Sequence, residues 1–155
     1  IAFDGCDEVD SHLNALKSGG GIHTQEKIIA SMADKYIVLV DESKFHETLP
    51  FQVPVVVEVL PKAFSIVKKK LEELNGNVEL RTAANKDGFL MSDEGNILLD
   101  VYFNDVQDIG LLNQTLLMMP GIVDTSLFVD ILTGFILVND KGVFKKEKNG
   151  EFNAL

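Results

Sequence analysis

The sequence predicts an α/β protein: a Rossmann-like parallel-sheet domain, present in part, carrying an inserted ferredoxin-like α+β unit. Two observations carry that prediction. The first is a pair of short apolar runs, Ile1 to Phe3 and Tyr36-Ile-Val-Leu-Val40, each followed by charged residues and separated by a glycine loop and an amphipathic segment. Strand, loop, helix, strand in that order reads as a parallel βαβ unit with a right-handed crossover. The second is the succession of periodicities from Phe51 to Asp130, which runs β-α-β-β-α-β, the ferredoxin-like arrangement. The expected division is residues 1–50 and 131–155 for the first domain and 51–130 for the insertion.

The first strand stops at Asp4-Gly-Cys-Asp7-Glu-Val-Asp10. Carboxylates beyond a buried strand suit a ligand site, because ligands of open α/β sheets bind outside the carboxyl ends of the strands. The plainer reading is a polar turn whose Asp side chains accept from nearby backbone N–H groups. Aspartate at every third position also raises calcium, but the EF-hand spacing is absent.

Next comes Lys17-Ser-Gly-Gly-Gly-Ile-His-Thr-Gln-Glu26-Lys27. Consecutive glycines at Gly19, Gly20 and Gly21 let the backbone approach a ligand closely. An amphipathic run over Thr24 to Asp34 follows, with Ile28, Ile29 and Met32 on one side. A glycine loop feeding a helix N-terminus offers N–H groups and the positive end of the dipole to an anion. Lys17 adds a full charge, and Glu26 falls in or near the first helical turn. The plainer reading is a flexible hairpin before an ordinary helix with a favourable acidic first turn. Neither a P-loop nor a G-x-G-x-x-G pattern is present.

Tyr36 to Val40 reads as a strand buried on both faces, ending in Asp41-Glu-Ser-Lys44. Charged clusters at Asp4–Asp7, Lys17–Glu26 and Asp41–Lys44 are then expected on one edge of the sheet. Within the insertion, strands are expected over Pro54–Leu60, Asn77–Arg81, Asn96–Phe103 and Ile122–Val129, with helices over Lys62–Leu74 and Asp108–Met119. Asn75-Gly76 and Pro120-Gly121 stop the helices. Lys68-Lys69-Lys70 reads as a solvated helix face, and the insertion shows no site of its own. Phe135–Val138 and Val143–Lys146 form a hairpin around Asn139–Gly142, assigned to the first domain.

Composition narrows the function. A hydrophobic fraction of 46% with 25% charged residues is that of an ordinary globular protein. A net charge of −10 argues against nucleic acid, which needs a basic face. No apolar run approaches the roughly 20 residues of a membrane span, so no membrane partner is expected. One cysteine excludes an internal disulfide and fits a reducing, cytoplasmic setting. Cys and His are too few and scattered for a zinc site, and no metal is expected.

The three clusters resemble, in order and spacing, the signature blocks of type A ribose-5-phosphate isomerase. Pro54-Val-Val-Val-Glu-Val-Leu-Pro61, Gly95-Asn-Ile-Leu-Leu-Asp100 and Pro120-Gly-Ile-Val-Asp124 extend the resemblance over essentially the whole chain. It implies a cofactor-free and metal-free isomerase of the non-oxidative pentose phosphate pathway, interconverting ribose 5-phosphate and ribulose 5-phosphate, and a homodimer or homotetramer. It also implies that Glu26 transfers the proton, with Asp4, Asp7 and Lys17 as further catalytic groups. Asp4, Gly5, Cys6, Asp7, Lys17, Ser18, Gly19 and Gly20 would bind the sugar, and Lys44 would help. Cys6 departs from the family's usual Ala, and Ser18 from its usual Gly. The family's Ser/Thr-rich phosphate loop has no counterpart here, and the chain opens on a strand already under way. Both lead to the expectation that an N-terminal segment precedes Ile1 and that these 155 residues alone turn over little substrate. The competing reading is a non-catalytic small-ligand sensor or interaction module. Turnover of sugar phosphate separates the readings.

Overall fold

The computed structural model describes residues 1–83, 88–148, 150 and 152–155. In chain order the first elements are β1 (Ala2–Gly5), β2 (Glu8–Asp10), β3 (Ala15–Leu16) and helix α1 (His23–Met32). β4 (Tyr36–Asp41) and β5 (Phe45–His46) follow. Then come β6 (Val55–Val59), α2 (Phe64–Glu73), β7 (Asn77–Leu80), β8 (Ile97–Tyr102), α3 (Ile109–Leu117) and β9 (Ile122–Thr125). The last strands are β10 (Leu127–Phe128), β11 (Gly134–Asn139), β12 (Gly142–Glu147) and β13 (Asn153–Ala154).

These strands make three sheets that mix parallel and antiparallel pairing. In the first, β1, β4 and β11 are parallel, and β12 and β13 continue the edge antiparallel. β4 pairs with both β1 and β11, so its carboxyl end lies beside that of β1. Tyr36, Val38 and Val40 pack into a core with Phe128, Phe135 and Leu137. The opposite face differs from the expectation of a strand buried on both sides. There Phe3 is 56% and Leu39 49% exposed, although parallel sheets ordinarily have both faces covered.

A second sheet is wholly antiparallel, in the order β7-β8-β6-β9. One face bears Val55, Val57, Val59, Leu99 and Val101 against Val67 and Leu71 of α2 and Leu116 of α3. The other bears Glu58, Leu98, Asp100 and Asp124, as the period of two and the cross-strand register require. That polar face meets the glycine loop and α1. Glu58 accepts a short hydrogen bond from Thr24, and Lys27 reaches Asp124 at 2.6 Å.

The third sheet, β10-β3-β2-β5, was not expected. Glu8, Val9 and Asp10, which read as a polar turn, form a buried strand. Its acids are satisfied internally. Glu8 accepts from the N–H groups of Phe51, Gln52 and Val53, and Asp10 from those of His12 and Asn14. Neighbouring residues on β3 and β10 point into opposite cores: Ala15 and Phe128 into the first, Leu16 and Leu127 into the second. The expected fourth strand over Ile122–Val129 is accordingly split, β9 joining one sheet and β10 another.

α1 also corrects an expectation. Ile28, Ile29 and Met32 are exposed rather than core residues, and the helix buries His23 and Ala30 instead. Its inward face is polar because it lies against the polar side of the second sheet. Among the described residues no helix is long and apolar enough to cross a membrane.

Candidate active site

The carboxyl ends of β1 and β4, the glycine loop and the first turn of α1 border an open pocket of about 250 Å³. It is lined by Asp4, Gly5, Cys6, Asp7, Lys17, Gly19, Gly20, Glu26 and Lys44. The register explains the convergence, since Asp4 and Gly5 pair with Val38 and Leu39. The strand ends beside Asp41, whose carboxylate caps the short turn that carries Lys44.

Lys17 is the centre of the site. Only 6% of it is exposed. Its ammonium lies 3.1 Å from Asp4 Oδ2 and 3.2 Å from Glu26 Oε1 and donates a short hydrogen bond to the Gly5 carbonyl. A buried ammonium is tolerated when charge and hydrogen bonds compensate its lost hydration. Here two carboxylates and a carbonyl do so.

The two carboxylates are driven apart. Burial lifts the Glu26 carboxyl above its ordinary value; Lys17 opposes this without reversing it, and the charges of Asp4 and Asp7 add to the rise. Burial also acts to raise Asp4. Hydrogen bonds from the Tyr36 hydroxyl (2.7 Å) and the Gly5 N–H (2.8 Å), with Lys17, outweigh burial and hold Asp4 below the usual carboxylate range. Paired acids with opposed environments are how proteins separate a proton-exchanging carboxyl from a fixed anion. Burial pushes the Cys6 thiol up to about 12, so it stays protonated.

Ser18 does not line the cavity. Its side chain is buried, its hydroxyl donates to the Pro54 carbonyl, and its N–H donates to Asp7 Oδ2 at 2.6 Å. The Gly19 N–H donates to the same oxygen at 2.9 Å. Two N–H groups of the glycine loop expected to face an anion are thus engaged by Asp7. The third aspartate, Asp10, serves its own turn.

Two contributors escaped the sequence reading. Tyr36 was assigned only to a strand, yet its hydroxyl reaches Asp4. Arg81, in a segment judged to hold no site, donates to the glycine loop. A readable signal existed for that region: single carboxylates inside apolar strands, Val57-Glu58-Val59 and Leu99-Asp100-Val101, mark a sheet face turned toward polar partners. Among the described residues no group of three or more His, Cys, Asp or Glu is placed to hold a metal ion.

Fold and site together define an α/β protein with a small polar pocket beyond parallel strand ends, built on a buried lysine between two unlike carboxylates. The chain belongs to the ribose 5-phosphate isomerase A family, also called phosphoriboisomerase A, whose sequence model matches residues 1–142. It is 45% identical over 131 residues to ribose-5-phosphate isomerase A of Thermosynechococcus vestitus, covering 84% of this chain and 56% of that protein. It is 42% identical over 148 residues to the Thermococcus kodakarensis enzyme of the same name, covering 96% and 65%. Ribose 5-phosphate isomerase A from Methanocaldococcus jannaschii superposes with a TM-score of 0.88 at 38% identity, over 96% of this chain and 65% of that one. A D-ribose-5-phosphate isomerase in complex with phospho-erythronic acid gives 0.88 at 39%, over 94% and 64%. The chain therefore spans less than two thirds of the length of these relatives.

Proposed function

We propose that this chain supplies the proton-transfer site of an enzyme interconverting D-ribose 5-phosphate and D-ribulose 5-phosphate through an enediolate. The observation that carries the reading is the Asp4–Lys17–Glu26 array, in which one carboxyl is lifted and the other held down around a shared ammonium. Glu26 takes the proton from C2 of the open-chain aldose. The electrons of that C–H bond form the C1–C2 double bond, and charge moves onto O1. Lys17 neutralises that charge and passes the O2 proton to O1. Glu26 then returns its proton to C1, leaving the carbonyl at C2. A carboxyl lifted toward the working pH suits a group that must both take and give a proton. Asp4, kept ionised, accepts from sugar hydroxyls, and Lys44 faces the phosphate. The relative bound to phospho-erythronic acid supports a phosphorylated, sugar-sized ligand.

We further infer that β1, β4 and β11 belong to a Rossmann-like domain interrupted by residues 51–130 as a ferredoxin-like unit. The antiparallel order β7-β8-β6-β9, with α2 and α3 on one face, supports that division.

The test is Glu26→Gln in a full-length isomerase carrying this chain. The change keeps size but cannot accept a proton. Turnover should fall at least ~100-fold, binding of ribose 5-phosphate should persist, and exchange of the migrating proton with deuterated solvent should vanish. A variant that keeps most of its rate would remove Glu26 as the base.

A further inference from the structure

We propose that Arg81 is a positioning residue of this site, clamping the glycine loop from the far side so that Lys17 meets the developing charge. The inference rests on the isomerase reading and adds a residue to it. Arg81 follows β7, far in sequence from the loop, yet its guanidinium donates to two successive loop carbonyls. Nη2 lies 2.8 Å from the Ser18 carbonyl and Nη1 3.2 Å from that of Gly19. The N–H groups of the same two residues are held by Asp7 on the pocket side. The peptide group that joins Ser18 to Gly19 is therefore held at both ends, its N–H by Asp7 and its C=O by Arg81, and the peptide groups on either side of it are each held at one end.

The clamp is itself anchored. Asp100 of β8 accepts from Nε at 2.9 Å and lies 2.7 Å from Nη2, with both side chains largely buried. A planar guanidinium spreads its donors over a rigid fork that can serve a carboxylate and two successive carbonyls in fixed directions, whereas an ammonium gathers its three donors on one atom. The loop is also pressed against this surface. Gly21 has φ +69°, and a Cβ there would stand 2.8 Å from Leu98 Cδ1 and 3.2 Å from Arg81 Nη1. Lys17, one residue before the clamped pair, has its own N–H fixed by the Ser126 carbonyl at 3.0 Å. Its backbone is thus held on one side by Ser126 and on the other through residues 18 and 19, so releasing Arg81 frees one of the two anchors that aim its ammonium. Small misplacements of catalytic groups lower rates by about two orders of magnitude.

Two measurements on the full-length enzyme test this with Arg81→Lys, which keeps charge but not the fork. Amide hydrogen exchange of the loop peptide spanning Ser18 to Gly21 should become faster, with peptides of β4 and β8 unchanged. The kcat for ribose 5-phosphate should fall about 10- to 100-fold with KM within about threefold. Should Arg81→Lys fold poorly, Arg81→Ala assayed with millimolar guanidinium chloride against sodium chloride replaces it, and only guanidinium should restore kcat. Unchanged loop exchange, a change confined to KM, or no preference for guanidinium would each overturn the proposal. If the parent enzyme itself does not isomerise ribose 5-phosphate, the isomerase reading falls, while loop exchange still decides the clamp.

Discussion

At the scale of single residues, the site depends on how one ammonium is shared. Asp4 is held down chiefly by hydrogen bonds that oppose its burial, and the Tyr36 hydroxyl is foremost among them. Tyr36 is itself fixed by stacking on Phe128, with ring centroids 6.2 Å apart. Tyr36→Phe therefore removes one hydroxyl and leaves the ring in place. A group whose folded pKa is depressed adds stability that is present above its unfolded value, 3.8 for Asp4, and lost as pH falls through the folded value. The variant should lose about 1.5 kcal/mol at neutral pH, the low end for a hydrogen bond to a charged group because Asp4 is partly hydrated. Urea denaturation should show that gap at pH 7 and its narrowing below pH 3.8, as the pH falls through the depressed folded value of Asp4. A gap independent of pH would mean that Tyr36 acts through packing and not through Asp4.

At the scale of elements, what was legible followed from length. The strands and helices of four or more residues are visible in the sequence, β1 and β4 as unbroken apolar runs and the six elements β6 to β9 as a succession of periodicities. The β2, β3, β5 and β10 pieces have two or three residues, too few for a period of two to declare itself, and Glu8 and Asp10 disguise a buried strand as a turn. The clustering of Asp4, Lys17, Glu26 and Lys44 was legible because charged residues at strand and loop ends gather on one sheet edge. Arg81 was not, because its role depends on which sheet face docks on the loop. α1 misled for the same reason, burying His23 in place of its isoleucines. Burial lowers the His23 pKa to about 4 from 6.5; Lys27 adds to this, while Asp124 and Glu58 oppose it. Among the described residues neither ring nitrogen finds a hydrogen-bond partner of good geometry. The unfolded chain therefore binds a proton between those two values that the folded chain refuses, so stability is lost as pH falls from 6.5 toward 4. His23→Leu, similar in volume, should be at least as stable as the parent at pH 7. Its advantage should grow by on the order of 2 kcal/mol by about pH 5, from 1.36 kcal/mol per unit. Parallel stability–pH curves for the two proteins would refute this account of His23.

At the scale of the whole molecule, two apolar cores share a thin partition, β3 and β10, and a polar seam. The seam runs between α1 with its glycine loop and the acidic face of the second sheet, through Thr24–Glu58, Lys27–Asp124 and Arg81, which Asp100 holds against the Ser18 and Gly19 carbonyls. Lys27–Asp124 is the most exacting of these. The ammonium lies 2.6 Å from Asp124 and 2.7 Å from the Thr125 carbonyl, and 5.1 Å from the centre of the Phe128 ring. Burial lowers the Lys27 pKa, and Asp124 resists that shift. Because Lys27 stands one residue after Glu26, this pair couples the turn that carries Glu26 to the second core. Breaking one side of a buried pair strands the other charge, so Lys27→Met should destabilise by about 3–5 kcal/mol. Replacing both, with Lys27→Met and Asp124→Leu together, should recover most of that loss, since no buried charge then remains. Amide exchange read separately on β4 and β8 gives the global consequence. In the parent both strands should report one opening free energy; in Lys27→Met the two should diverge, and in the double variant converge again. A Lys27→Met protein within about 0.5 kcal/mol of its parent, with β4 and β8 still opening together, would show that the partition alone joins the two cores.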